Sequence, residues 1–123
     1  MTVADTDVLI DYLSGKGEVD AVERLLRQGA IRTTVISRFE LLSGAKSMKQ
    51  LAKVAELLAA VPSLVLDEAA ADMASEIRRS LEQSGNKIGM ADSLIAGIVA
   101  RHGATLLTRN RRHFERVPGL KLA

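Results

Sequence analysis

An α/β fold, with a small parallel sheet flanked by helices, is predicted by two features of the sequence. Short apolar segments rich in β-branched residues alternate with longer segments whose apolar residues recur every three or four positions. Strands that alternate with helices in this way are typical of a parallel sheet. The chain has 123 residues, of which 47% are hydrophobic and 26% charged, as expected of one globular domain spanning residues 1–123.

The first half of the chain predicts two strands and four helices. Thr2–Ala4 is a short strand that enters Asp5, and Ile31–Val35 is a second strand because it is short and β-branched. Glu18–Gln28 carries a helical apolar stripe that ends at Gly29. The other three helices are predicted at residues 8–13, 37–45 and 48–60, the last one ended by Pro62.

The second half predicts two helices and three short strands. Leu64–Leu66 is a candidate buried strand, and Asp67 after it is a candidate N-cap for a helix running to Gln83. Another helix covers Ala91–His102. The remaining strands are predicted at residues 104–107 and, at the sheet edge, 121–122.

Polar side chains follow the predicted strands where each strand ends. Asp5 follows the first strand, Glu40 opens the helix after the second, and Asn110 comes after the strand that ends at Leu107. Asp92 lies in the first turn of its helix. Because ligands of open α/β sheets bind outside the carboxyl ends of the strands, we expect one site here if the strand order brings these residues together.

Each acid also has a purely structural interpretation. Asp7, and less well Asp5, could cap the first helix, and Ser37 followed three residues later by Glu40 fits a capping box. Asp92 is the only acid of an apolar helix, where a carboxylate is costly unless it has a use. Asp92 therefore favours the functional interpretation, whereas Glu40 taken alone favours the cap.

Basic residues cluster near the end of the chain, although the net charge is only +2. This cluster is either a solvated surface or a set of phosphate contacts, and its members are Arg109, Arg111, Arg112, His113 and Arg116. We interpret both histidines, His102 and His113, as surface or helix-end residues. The chain has one Tyr, two Phe and no Trp, which argues against binding single strands by base stacking.

Several classes of protein are excluded by what the sequence lacks. It has no cysteine, so disulfides, thiolate-zinc sites and cysteine nucleophiles are ruled out. It also has no phosphate-binding Walker loop and no Ser-His-Asp set. No apolar run approaches the roughly 20 residues that cross a bilayer, and the acidic start does not fit a signal peptide, so we expect a cytoplasmic protein without membrane contact.

The candidate ligands are carboxylates and an amide, which supply only oxygen atoms. Oxygen ligands suit Mg²⁺, or Mn²⁺ in its place, and do not suit zinc. Hydrolysis at such a site would use a water molecule activated by the metal.

Four segments, in this order and at these spacings, resemble the motifs of PIN-domain ribonucleases, and within them of VapC-type toxins from toxin–antitoxin pairs. They are DTDVLI at 5–10, FELLSG at 39–44, ADSLIA at 91–96, and LTRN at 107–110 with RHF at 112–114. The resemblance covers nearly the whole chain. It implies an endoribonuclease that hydrolyses RNA phosphodiester bonds.

The resemblance also implies roles for individual residues. Asp5, Glu40 and Asp92 match the catalytic, metal-binding acids of the family, with Mg²⁺ as the expected metal. Many relatives have a fourth acid near the last motif, where this chain has Asn110 and then His113. Asn110 is therefore a candidate fourth ligand. The candidate contacts for RNA phosphates are Arg109, Arg111 and Arg112. Relatives are typically homodimers that a VapB-like antitoxin holds inactive.

Two other functions fit parts of the pattern. A receiver-like signalling domain would use Asp67 as a phosphate acceptor, but it would need adjacent acids after the first strand, and here Thr6 separates them. A catalytically degenerate interaction module is the second alternative, since the fourth acid is missing.

Overall fold

Five short strands form one parallel sheet in the order β3-β2-β1-β4-β5. The structure is a computed structural model that describes residues 1–123. The strands are β1 (Thr2–Ala4), β2 (Ile31–Thr34), β3 (Ser63–Leu64), β4 (Thr105–Leu107) and β5 (Lys121–Leu122). The predicted α/β class is confirmed.

Seven helices connect the strands. They are α1 (Thr6–Leu13), α2 (Val19–Gln28), α3 (Val35–Gly44), α4 (Met48–Ala60), α5 (Glu68–Gln83), α6 (Met90–Arg101) and α7 (Arg111–Phe114). None of them is both long and apolar enough to cross a membrane. From β1 the chain moves outward to β2 and β3, then returns to the other side of β1 to form β4 and β5. The strand order therefore reverses between β1 and β4.

The core consists of one apolar cluster on each face of the sheet. Successive strand residues point to opposite faces, so Val3 joins a cluster with α5, α6 and α7, whereas Ala4 joins a cluster with α1, α2 and α4. The tightest helix contact is between α5 and α6. A Cβ at Gly97 would lie 2.6 Å from both the Ala70 carbonyl oxygen and the Ala74 Cβ. Only glycine fits here, and this close packing fixes the position of α6 and hence of Asp92.

Three local predictions were wrong. The strand predicted at Leu64–Leu66 is shorter and lies at Ser63–Leu64, and Val65 is 58% exposed. An apolar triplet has no periodicity that would separate a buried strand from an exposed connection. The first helix begins two residues earlier than predicted, and its N-cap is Asp5, whose carboxylate accepts from the Thr6 amide.

The third wrong prediction is the capping box at the start of α3. This helix begins at Val35, and its N-cap is Thr34, whose hydroxyl accepts from the Ser37 amide. Glu40 therefore lies beyond the first turn and does not cap the helix. Its carboxylate is free to bond elsewhere.

Candidate active site

The candidate residues lie at the carboxyl-terminal edge of the sheet, around the point where the strand order reverses. Asp5 directly follows β1, and Thr108 directly follows the neighbouring strand β4. Glu40 lies on α3, which follows β2, and Asp92 lies in the first turn of α6. Helices α3 and α6 contact each other, so the elements that carry Glu40 and Asp92 are neighbours in the fold.

Asp5 is the most buried carboxylate of the site, with 4% of its surface exposed. Its Oδ1 accepts a 2.8 Å hydrogen bond from the Thr6 amide, and its Oδ2 accepts a 2.7 Å bond from the Thr108 hydroxyl. The Thr108 Oγ1 in turn accepts from the Asn110 amide. Two donors thus fix the rotamer of Asp5, and one of them is supplied by the loop after β4.

The electrostatic environment raises the pKa of Asp5 to about 6. Burial is the largest cause, because it disfavours the charged form. The hydrogen bonds from Thr108 and Thr6 lower the pKa, whereas the negative charges of Asp7 and Asp92 raise it further. Asp5 forms no ion pair, so its charged form is stabilised only by the two hydrogen bonds.

Burial of Asp5 predicts an unusual dependence of stability on pH. Without metal, the folded chain holds a proton on Asp5 up to about pH 6, while the unfolded chain loses it near the ordinary value of 3.8. The folded state then binds more protons in this window, so the contribution of Asp5 to the free energy of unfolding falls as pH rises, by up to ~3 kcal/mol. In EDTA, the free energy of unfolding of Asp5→Asn relative to wild type should therefore increase when the pH is raised from about 4.5 to about 7.5, as measured by urea denaturation.

The exposed Asp72 provides the control for this experiment. Asp72→Asn removes the same charge from a solvated helix surface and should differ from wild type by the same amount at both pH values. A constant difference between Asp5→Asn and wild type would show that Asp5 titrates normally.

Glu40 is linked to Asp5 through the intervening Thr6. The Glu40 Oε1 lies 2.7 Å from the Thr6 hydroxyl, and the Ser37 Oγ lies 2.8 Å from the same hydroxyl. Because a carboxylate only accepts, Thr6 donates to Glu40 and the Ser37 hydroxyl donates to Thr6. Thr6 thus joins the loop after β1 to α3 and directs Glu40 towards the strand end.

Asp92 pairs with His113. The Oδ2 of Asp92 lies 2.6 Å from the His113 Nδ1, and its side chain is 23% exposed compared with 52% for the histidine. His113 is a half-exposed residue of α7, in line with its interpretation as a surface or helix-end residue, but its contact with Asp92 was not predicted. The two residues are 21 positions apart and no local pattern links them.

Two further candidates lie beside this group. The Asp7 Oδ1 accepts from the Arg109 amide at 3.2 Å, while its Oδ2 is buried without a hydrogen-bond partner. Asn110 is exposed and its side chain makes no hydrogen bond. Its role as a fourth ligand stays a prediction.

The three arginines predicted to contact phosphates have different surroundings. Arg109 makes a two-bond fork to Asp11, with its Nε 3.0 Å from Oδ2 and its NH2 nitrogen 3.3 Å from Oδ1. Arg111 donates to the backbone oxygen of Ala123 at 2.6 Å. Arg112 is exposed and makes no ion pair. Of the three, Arg112 alone has its guanidinium free of protein partners.

The donor set fits a hard divalent cation. All candidate ligands are oxygens, Asp7 Oδ2 is a buried orphan acceptor, and the carboxylates around Asp5 repel one another. However, no three His, Cys, Asp or Glu side chains are close enough together to enclose an ion. Glu40 is bonded to Thr6 and Asp92 to His113 through one oxygen each, and the carboxylates would have to move closer together to share one ion.

Comparison with known proteins gives consistent matches over the full chain. The family model for the PIN domain matches residues 2–120. The chain is 31% identical to the tRNA(fMet)-specific endonuclease VapC of Shigella flexneri over 121 residues, which covers 95% of this chain and 92% of that protein. It is also 31% identical to ribonuclease VapC19 of Mycobacterium tuberculosis over 123 residues, with 98% of each chain covered.

Solved structures agree with the sequence matches. The DNA-bound VapBC complex from Salmonella typhimurium contains a chain that superposes with a TM-score of 0.89 at 30% identity, covering 99% of this chain and 96% of that chain. VapBC2 from Rickettsia felis, bound to a fragment of promoter DNA, also gives a TM-score of 0.89, at 26% identity and the same coverage. The family model matches residues 2–120, and the relatives and solved structures match nearly the whole chain. The chain therefore belongs to the PIN-domain family.

Proposed function

We propose that this chain is the endoribonuclease toxin of a VapBC-type toxin–antitoxin pair and that it hydrolyses RNA phosphodiester bonds with the help of Mg²⁺. The observation that carries the proposal is the buried Asp5, whose pKa is raised to about 6 by burial and by the neighbouring acids Asp7 and Asp92. Acids that raise the pKa of a buried carboxylate at a strand-end site support a cation site, because a cation would offset their charge. The relatives named above are ribonucleases, which supports the same activity.

Asp5, Glu40 and Asp92 are the residues that would hold the ion, with Mn²⁺ as an alternative to Mg²⁺. A bound divalent cation acidifies a water molecule and offsets negative charge on the phosphate that is attacked. The protein contributes orientation: Thr108 and the Thr6 amide fix Asp5, and the Thr6 hydroxyl holds Glu40 near the same strand end.

His113 and Asn110 act at the edge of this site. His113 bonds one oxygen of Asp92 and leaves the other oxygen available to a ligand. The exposed side-chain amide of Asn110 can bind water or a phosphate oxygen, because it has no hydrogen-bond partner in the protein.

A VapB-like antitoxin is the proposed partner, since the matching solved structures are VapBC complexes. Between α1, α3 and α4, beside Glu40, lies a half-apolar groove of about 370 Å³ that an antitoxin segment would be able to enter. A homodimer stays a prediction.

The receiver-like alternative gains no support from the surroundings of Asp67. This residue caps α5 through the Ala70 amide, and its other oxygen lies 3.5 Å from Arg101. It also follows the edge strand β3, away from the point where the strand order reverses. Both carboxylate oxygens thus have structural roles.

The direct test is incubation of the purified chain with total RNA in Mg²⁺ and in EDTA. New RNA ends should appear in Mg²⁺ and be absent in EDTA. The catalytically degenerate alternative predicts intact RNA in both samples, and cleavage that persists in EDTA would reject the metal-dependent mechanism.

A further inference from the structure

Beside Asp92 lies a second, strongly polar cleft that the proposed catalytic role does not explain. It has a volume of about 460 Å³ and lies between the loop joining α5 to α6 and the segment that begins with α7. Its basic side chains are Lys87, Arg112, His113 and Arg116, and Glu115 is its one acid. We name it the basic cleft.

Three cations of the basic cleft are available to a ligand. Arg112 makes no ion pair, and the Lys87 Nζ lies 4.0 Å from the Glu82 Oε1, with both side chains largely exposed. Arg116 bonds the neutral Asn86 and keeps its full charge. By contrast, Arg109 is neutralised by the Asp11 fork. Apart from the contact between Lys87 and Glu82, no carboxylate forms an ion pair with these three side chains of the cleft.

The walls of the basic cleft are ordered by protein contacts. The Asn86 amide donates to the Ser84 carbonyl at 3.0 Å and to the Ser84 hydroxyl at 3.1 Å. Since Asn86 also accepts from Arg116, the loop before α6 is tied to the chain after α7. An arrangement held by the protein loses less entropy when a ligand binds.

The cleft adjoins the acidic site through one side chain. His113 lines the cleft and at the same time bonds the Asp92 carboxylate at 2.6 Å. A polyanion lying in the cleft would therefore be separated from Asp92 by His113 alone. No Phe or Tyr lines the cleft, so the ligand would be held by its charge and not by base stacking.

We infer that the basic cleft binds the RNA backbone on one side of the cleaved bond, with Lys87, Arg112 and Arg116 as its phosphate contacts. This inference rests on the proposed ribonuclease function. It assigns the phosphate contacts to a different set of residues from Arg109 and Arg111. These two arginines are instead bound to Asp11 and to the carbonyl of Ala123.

The test compares two triple variants that lose the same charge. The cleft variant carries Lys87→Gln, Arg112→Gln and Arg116→Gln. The control carries Arg24→Gln, Arg27→Gln and Lys49→Gln, three exposed residues of α2 and α4 on the other face of the sheet. Both are made with Asp5→Asn to prevent cleavage, and their binding to fluorescently labelled bulk tRNA is measured at several salt concentrations.

The cleft variant should bind tRNA at least ~30-fold more weakly at about 0.1 M salt, and the slope of log K against log salt should fall by about two to three. The control should stay within about threefold of its parent, with an unchanged slope. Equal affinities and slopes for the two triple variants would overturn the inference.

Two further measurements distinguish a loss of RNA binding in the cleft from a change in folding or in catalysis. The double variant Lys87→Gln/Arg112→Gln keeps the Arg116–Asn86 bond, and its slope of log K against log salt should still fall by about two. The double variant Lys87→Gln/Arg112→Lys keeps one more positive charge, so its slope should fall by only about one. With Asp5 present and Mg²⁺ added, the cleft variant should raise KM and leave kcat nearly unchanged. If wild type cleaves RNA and the cleft and control variants have equal KM, the cleft inference fails while the nuclease stands. If wild type neither binds nor cleaves RNA, both fail.

Discussion

Replacing Asp92 with asparagine is expected to lower the rate of RNA cleavage about a thousandfold and to leave the fold intact. Asparagine keeps the size of the side chain and an oxygen that His113 can bond, so the contact to α7 survives. What is lost is one of the negative charges that would hold the cation. The losses for Asp5→Asn and Glu40→Gln should be of similar size, because each removes one charge from the same group.

The rate is measured as the appearance of new 5′ ends in a defined RNA pool, and folding is checked by circular dichroism and melting. Asp72→Asn is the matched control, since it removes an exposed carboxylate of α5 and should cleave at the wild-type rate. Full activity in Asp92→Asn would reject the assignment of this residue to the catalytic centre.

Saturating Mn²⁺ is expected to raise the melting temperature of the wild-type chain by about 10 °C. The cation relieves the repulsion among the acids, which is greatest in the metal-free folded state because Asp5 is buried beside Asp7 and Asp92. A ligand that binds the folded state alone stabilises it in proportion to the logarithm of its concentration. The shift should therefore grow with Mn²⁺ and disappear on addition of EDTA.

Asp5→Asn distinguishes this site from adventitious surface binding. The variant should melt higher than wild type in EDTA near neutral pH, because it lacks the buried charge, and should respond little to Mn²⁺. An equal response of wild type and variant would mean that Mn²⁺ acts elsewhere on the protein.

The positions of the site residues along the fold could be predicted from the sequence. Asp5 follows a short apolar strand and Asp92 lies in the first turn of an apolar helix, positions that lie at the carboxyl-terminal edge of a parallel sheet when the strand order is favourable. The matching strand order, with β1 between β2 and β4, could not be read from local patterns. It depends on which strands pair, and pairing is a long-range property.

The hydrogen-bond partners were less predictable, for two reasons. Several short polar residues lie near each helix start, and any of them can be the N-cap. The N-cap of α1 is Asp5 and not Asp7, and that of α3 is Thr34 and not Ser37. The other contacts join residues far apart in sequence, which no local pattern encodes. Thr108 reaches Asp5 across 103 positions, and Arg109 reaches Asp11 across 98.

Residue type alone indicates two of the hydrogen-bond donors of the site. Thr6 directly follows the candidate acid Asp5, and Thr108 directly follows the strand β4. A buried carboxylate needs hydrogen-bond donors, and a threonine hydroxyl at a strand end can supply one. His113 follows the same reasoning only after the fold is known, since α7 must first bring it to α6.

The central claim is that oxygen atoms of three residues distant in sequence bind one divalent cation. Its most direct test is anomalous diffraction from crystals of the wild-type chain soaked in Mn²⁺. The account predicts an anomalous peak in contact with the carboxylates of Asp5 and Asp92, with Glu40 bound to it directly or through water. Manganese found only elsewhere on the protein, with no anomalous peak at these three carboxylates, would contradict it.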